Sequence, residues 1–248
     1  MDDQTLLVDR HDSVAVVTLN RPAKLNAMDA SLRDGIPALA ARLRSDDQVR
    51  AVVITGAGKG FCSGVDLTGG RPDRGELSQN QRLDDLAWVG RLALGVYGLD
   101  KPTVAAVNGV AAGAGMSLAL ACDLRVGGPN ARFKVIFLER SLSAEAGMSY
   151  LLPRIIGYSR AADLLFTSRE VRSEEAYRMG LLDRLVDEGE DVNTSRLRLS
   201  ALTSSSSPPC SMNGRRPDRN VSSASRLTSW TLTRWPASAK ASTSGMPT

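Results

Sequence analysis

The stretch from Thr103 to Cys122 constrains this chain more than any other, because twenty consecutive residues carry no charge between Lys101-Pro102 and Asp123. Such a run has to leave water, either into lipid or into a protein core. Asn108, Ser117 and the glycines Gly109, Gly113 and Gly115 interrupt it and argue against a membrane span. A buried strand over Thr103-Val104-Ala105-Ala106-Val107, a glycine-containing turn and an apolar helix ending near Asp123 fit it instead. The 248 residues suffice for one large α/β domain, alone or with an appendage, whose core needs no disulfides.

Other segments obey the same grammar. Ser13-Val14-Ala15-Val16-Val17-Thr18-Leu19 is a β-rich run ended by Asn20-Arg21-Pro22, since proline cannot continue a ladder. Asp29 is placed as an N-cap before Leu32, Ile36, Leu39 and Leu43, which share one helical face, with Pro37 inside it. A continuously apolar strand, Arg50-Ala51-Val52-Val53-Ile54-Thr55, runs into a glycine-rich turn, Gly56 to Gly64, followed by Val65-Asp66-Leu67. That turn lacks both phosphate-loop spacings, so a nucleotide-loop reading is poor.

Strand and helix periods continue to about Asp187 and stop past Asp191. Of residues 191–248, 21 are Ser or Thr, none is Glu, and Ser204 to Ser207 run into Pro208-Pro209. We therefore divide the chain into a folded part, residues 1–190, and a low-complexity basic tail, residues 191–248. Two readings of the tail stay open, a disordered extension or a stretch translated in a shifted reading frame. It also holds the basicity: of a formal net charge of +4 it contributes +6, leaving −2 on the rest. A nucleic-acid partner is therefore not expected.

Three cysteines, Cys62, Cys122 and Cys210, show no metal or haem spacing, and the first residues are acidic rather than signal-like, so a cytoplasmic protein is expected. The lone histidine, His11, lies between charged residues before the first strand recognised above. Triad catalysis and histidine metal sites thus have almost no material.

Gly113-Ala114-Gly115 opens the apolar helix. Its first-turn amides lack partners within the helix and sit at the positive end of the helix dipole, so an oxyanion can be held there. The same small residues equally suit a close helix crossing.

Taken in order, Asn20-Arg21-Pro22 with Asn26-Ala27-Met28, then Phe61-Cys62-Ser63-Gly64-Val65-Asp66-Leu67, then Lys101-Pro102 to Asp123, closely resemble the enoyl-CoA hydratase (crotonase) superfamily. Leu152-Pro153-Arg154-Ile155-Ile156-Gly157 and the residues around Met179-Gly180-Leu181 resemble it too, so the likeness spans roughly residues 5–188. It implies an α/β fold, a crotonase-like spiral of ββα units, assembled as a homotrimer or hexamer if the C-terminus permits. The implied ligand is an acyl-CoA thioester, with no metal and no cofactor beyond coenzyme A as part of the substrate. The backbone amides of Val65 and Ala114 would form the oxyanion hole. Lys24, Leu25, Ala27, Val65, Asp66, Leu67 and Thr68 would line the CoA nucleotide and pantetheine.

Where the family's hydratases carry two carboxylates flanking a water, this chain has Ser117 and Phe137. Neither supplies a carboxylate, which argues against ordinary hydration. Glu145 stands at a position resembling the one that carries an Asp in dienoyl-CoA isomerase, chlorobenzoyl-CoA dehalogenase and dihydroxynaphthoyl-CoA synthase. A single carboxylate suits moving a proton between carbons, hence isomerisation rather than hydration. Glu145 also has a bland reading, as a solvated acid favoured near a helix start. The alternative function is a non-catalytic acyl-CoA binder or inactive paralogue with a damaged C-terminus, because the family's last helices cover the acyl-CoA site and help form the trimer. No membrane association is expected.

Overall fold

The computed structural model of the chain describes residues 4–68 and 87–186. The division at residue 190 and the tail, 191–248, lie outside those residues.

Strands β1 (Leu6–His11) and β2 (Val14–Leu19) form an antiparallel hairpin in register from Leu6↔Leu19 to His11↔Val14. Asp12 takes a positive φ of 52° in its two-residue turn, a conformation Asp tolerates better than most side chains. His11 therefore ends the first strand rather than preceding it. The sequence reading missed β1 because this edge strand is mostly exposed and shows no clear apolar alternation.

Helix α1 (Ala30–Ser45) starts as expected at Asp29, whose carboxylate accepts the Leu32 amide at 2.9 Å. Leu32, Ile36, Leu39 and Leu43 are all buried on its inner face, and Pro37 sits within it. Strands β3 (Ala51–Gly56) and β4 (Gly60–Cys62) follow, then helix α2 (Ala87–Tyr97).

The charge-free run resolves into β5 (Thr103–Val107), β6 (Val110–Ala112) and helix α3 (Ala114–Ala121). All eight residues of α3 are buried, the fate of a helix that is apolar all round. Asp123 fastens the ends of the run together, accepting from the Thr103 amide and hydroxyl at 2.8 and 2.7 Å. Strands β7 (Leu124–Gly127) and β8 (Arg132–Lys134) lead to helices α4 (Met148–Ile156) and α5 (Tyr158–Thr167), and β9 (Glu170–Arg172), α6 (Ser173–Met179) and β10 (Arg184–Leu185) complete the described order.

Two sheets result. One orders its strands β1-β2-β3-β5-β7-β10, the other β4-β6-β8-β9. Each turn of chain gives one strand to the larger sheet, the next to the smaller, and then a helix: β3-β4-α2, β5-β6-α3, β7-β8-α4. This is the expected spiral of ββα units. The central parallel strands β3 and β5 are buried on both faces, which explains why they read as continuous apolar runs instead of alternating. Ala15, Val17, Val52, Ile54, Ala105 and Val107 pack with the helices, while Val14, Val16, Ala51, Val53, Val104 and Ala106 form a separate apolar layer.

Candidate active site

The spiral brings the C-terminal end of β4 beside the start of α3, because β4 and β6 pair in parallel and α3 follows β6 directly. The approach is tight. A Cβ on Gly115 would stand 2.1 Å from the Cys62 carbonyl oxygen, and one on Gly64 would stand 3.0 Å from the Ala112 carbonyl oxygen and 3.9 Å from the Ala114 amide nitrogen. Glycine is required at both places for steric reasons, and Gly64 also takes a φ of +101°.

Val65 forms an isolated parallel bridge with Met28. Its neighbours make the bonds: Met28 donates to the Gly64 carbonyl at 2.7 Å and Asp66 donates to the Met28 carbonyl at 2.9 Å. The Val65 N–H thus faces away from Met28, and among the described residues it has no acceptor. Ala114 is the first residue of α3, capped by Gly113, which has no side chain to accept from the helix start. Its amide likewise has no acceptor among the described residues. Two free main-chain donors therefore lie on segments that touch at Gly64, one of them at the positive end of a buried helix.

Ser117 lies one turn into α3, fully buried, and its hydroxyl donates to the Glu145 carbonyl at a long 3.5 Å. The structure thus brings Glu145 against α3 near Ser117, although the two are far apart in sequence. Glu145 itself is half-buried and precedes α4 by three residues, in a turn where Ala146 (φ 52°) and Gly147 (φ 78°) both adopt left-handed backbone. The Met148 amide donates back to the Glu145 carbonyl at 2.9 Å and closes that turn. Phe137 is buried in the main core, on the segment that runs from β8 past Gly113. The positions expected to match the hydratase carboxylates are thus a buried hydroxyl and a buried ring. Glu139, close by in sequence, pairs with Lys134 at 2.9 Å.

The residues expected to line CoA split into two groups. Lys24, Leu25, Val65, Leu67 and Thr68 are exposed, on two loops joined by Ser63 N–H to the Leu25 carbonyl (3.0 Å) and by the Met28–Val65 bridge. Ala27 is buried and its carbonyl is taken by the Arg21 guanidinium. Asp66 is occupied as well: its carboxylate accepts the Thr68 hydroxyl at 2.6 Å, the Thr68 amide at 3.0 Å and Arg21 at 2.8 Å. Those bonds, Thr68 first and Arg21 after, hold the Asp66 carboxyl well below the usual carboxylate range.

Sequence reasoning did not single out Arg21 or Asn26 as supports of the site. Asn26 is fully buried in left-handed backbone (φ 56°), accepts the Arg21 amide at 2.8 Å and donates to the Ala57 and Gly60 carbonyls at 2.9 and 2.7 Å. A signal existed, since a polar pair in a short loop between apolar elements needs partners if the loop is buried. Cys62, beside the site, is fully enclosed, and burial pushes its thiol up to about 12, opposed in part by the Gly64 amide. It is no nucleophile at neutral pH. No helix among the described residues is long and apolar enough to cross a membrane.

The two sheets and interleaved helices place the chain among proteins built as ββα spirals. Comparison with known proteins narrows this. Residues 9–221 match the sequence profile described as Enoyl-CoA hydratase/isomerase. A probable enoyl-CoA hydratase of Mycobacterium leprae is 42% identical over 184 residues, covering 70% of this chain and 63% of that protein. A 4-chlorobenzoyl coenzyme A dehalogenase of an Arthrobacter species is 36% identical over 189 residues, covering 76% and 68%. Among solved structures, a monofunctional enoyl CoA isomerase from M. smegmatis superposes with a TM-score of 0.69 at 36% identity, covering 82% of this chain and 87% of the other. The chain belongs to the enoyl-CoA hydratase/isomerase family and has the crotonase fold. It spans less than two thirds of the length of its mycobacterial hydratase relatives, 63% for the M. leprae protein and 62% for that of M. tuberculosis.

Proposed function

We propose that this protein is an acyl-CoA enzyme of the hydratase/isomerase type that stabilises a thioester enolate with the Val65 and Ala114 amides and moves a proton with Glu145. The observation that carries the reading is the pair of amides without an acceptor among the described residues, on touching segments, since a preorganised donor aimed at developing negative charge is worth ~3 kcal/mol in the transition state. In the isomerisation we favour, the Glu145 carboxylate takes a proton from the α carbon of an unsaturated acyl-CoA. The electron pair of that C–H bond delocalises into the thioester, and the oxyanion is held by the two amides. The same proton returns at the γ carbon as the double bond shifts, so nothing is consumed. One carboxylate suffices for this, whereas water addition through Ser117 and Phe137 has no acid–base pair to use. Coenzyme A enters as part of the substrate, with Lys24, Leu25, Leu67 and Thr68 on the surface that receives it and Ala27 and Asp66 supporting that surface. A homotrimer or hexamer in the cytoplasm, without nucleic-acid or membrane partners, is the setting we expect.

One other reading, an acyl-CoA binder without turnover, is favoured by Ser117 and Phe137 standing where hydration would need its two carboxylates. Incubation of the full chain and its Glu145→Gln variant with unsaturated acyl-CoAs of several double-bond positions, with products resolved by mass and isomer, separates the two. Isomerised product of unchanged mass, reduced about 10²-fold or more in the variant, is expected. Equal product from both would remove Glu145 from the chemistry, and tight binding without product would favour the binder.

A further inference from the structure

The Met28–Val65 bridge is stapled by one side chain. Arg21 donates to the Ala27 carbonyl and pairs with Asp29 at 3.2 Å, so it grips the residues on either side of Met28. Its remaining arm pairs with Asp66, the residue after Val65, at 2.8 Å. A single guanidinium therefore holds both strands of the bridge whose exposed member, Val65, presents one of the two free amides. The staple is itself preorganised. The Arg21 amide is fixed by the buried Asn26 side chain, and the Asp66 carboxylate is pinned from its other side by both donors of Thr68. Arginine is suited to this task because its planar fork reaches three acceptors at once, which the point charge of lysine cannot.

Resting on the function proposed above, we infer that Arg21 is a positioning residue that sets the direction of the Val65 N–H through Asp66 and the Ala27–Asp29 segment. It does not touch the reacting atoms. Its loss would let Val65 drift on the Met28 side and weaken the hold on the thioester oxygen, while Ala114, fixed on α3, stays in place. A change near 1 Å in such a group costs up to about 10²-fold, and because one donor remains, about tenfold in kcat is expected for Arg21→Met.

The test reads polarisation directly. The full chain is mixed with crotonyl-CoA isotopically labelled at its thioester carbon, and the carbonyl stretch of the bound thioester is recorded for wild type, Arg21→Met, Arg21→Lys and Asp66→Asn, alongside kcat and KM. The wild-type band is expected below that of the free thioester. Arg21→Met and Asp66→Asn move it back toward the free value and lower kcat more than they alter KM, Arg21→Lys falls between, and a protein carrying both Arg21→Met and Asp66→Asn is no worse than the poorer single. A lowered band that stays put in folded Arg21→Lys and Asp66→Asn, with kcat within twofold of wild type, overturns the role of Arg21 and leaves the oxyanion hole standing. A wild-type band at the free position overturns both.

Discussion

Replacing Gly115 by alanine tests the packing of the start of α3 against the end of β4, on which the proposed oxyanion hole depends. The added Cβ would stand 2.1 Å from the Cys62 carbonyl oxygen, 2.7 Å from the Cys62 Cβ and 2.8 Å from the Cys62 carbonyl carbon. Non-bonded carbons settle at roughly 3.5–4.0 Å, and none of these atoms belongs to a flexible side-chain end. The start of α3 must therefore retreat from β4 by on the order of 1 Å, carrying Ala114 away from Val65. A retreat of that size predicts a loss of about 10²-fold in kcat, with overpacking costing about 1–3 kcal/mol of stability. Steady-state kinetics on an unsaturated acyl-CoA and thermal unfolding of the same samples measure the two effects separately. Gly35→Ala is the control, because its Cβ would meet only the tip of Leu6 at 2.9 Å and alanine favours the interior of α1. A Gly115→Ala protein with wild-type kcat would refute the claim that this contact sets the site.

Three further outcomes follow from the same contacts. Cys62, held near 12 by burial, should resist a thiol-alkylating reagent at pH 8 in the folded chain and label on denaturation, as read by peptide mass spectrometry; rapid native labelling at Cys62 would contradict its enclosure. Because Asp66 is depressed in the folded state, its stabilisation is fully present above the unfolded Asp value of about 3.9 and is lost as pH falls toward the lower folded value. The melting-temperature deficit of Asp66→Asn should accordingly be constant from pH 5 to 8 and shrink below about pH 4, and a deficit that varied between pH 5 and 8 would assign it to another group. Asp183→Ala removes the 2.6 Å ion pair of the buried Arg125, leaving its guanidinium the Leu181 and Cys122 carbonyls among the described residues, and should cost about 2 kcal/mol in denaturant unfolding, below the range for fully buried pairs because Asp183 is one-third exposed.

The parts of the fold that were legible in the sequence are those whose periodicity reports burial. The β2 run, the Asp29 cap with its face of three leucines and one isoleucine, and the first strand and the helix of the charge-free run stand where their patterns put them, whereas the turn expected between those two contains a further short strand, β6. Strand β1 was not legible, since an exposed edge strand carries little pattern, and β8, β9 and β10 are two or three residues long, defined only by the neighbours they pair with. The site divides in the same way. Glycines at 64 and 115 could be read as close approaches, but which backbone each approaches is a tertiary fact. The contact of Ser117 with Glu145 joins positions 28 residues apart, and the Arg21–Asp66 pair joins positions 45 apart. Local spacing is silent about both. The family motifs named the segments without saying what fastens them to each other.

A crystal structure of the full chain bound to an unreactive acyl-CoA thioester tests the central claim most directly. We expect the thioester oxygen within about 2.7–3.1 Å of both the Val65 and Ala114 nitrogens, with the Glu145 carboxylate facing the α carbon. A thioester oxygen bound elsewhere, or either amide turned to a protein acceptor in the complex, would contradict it.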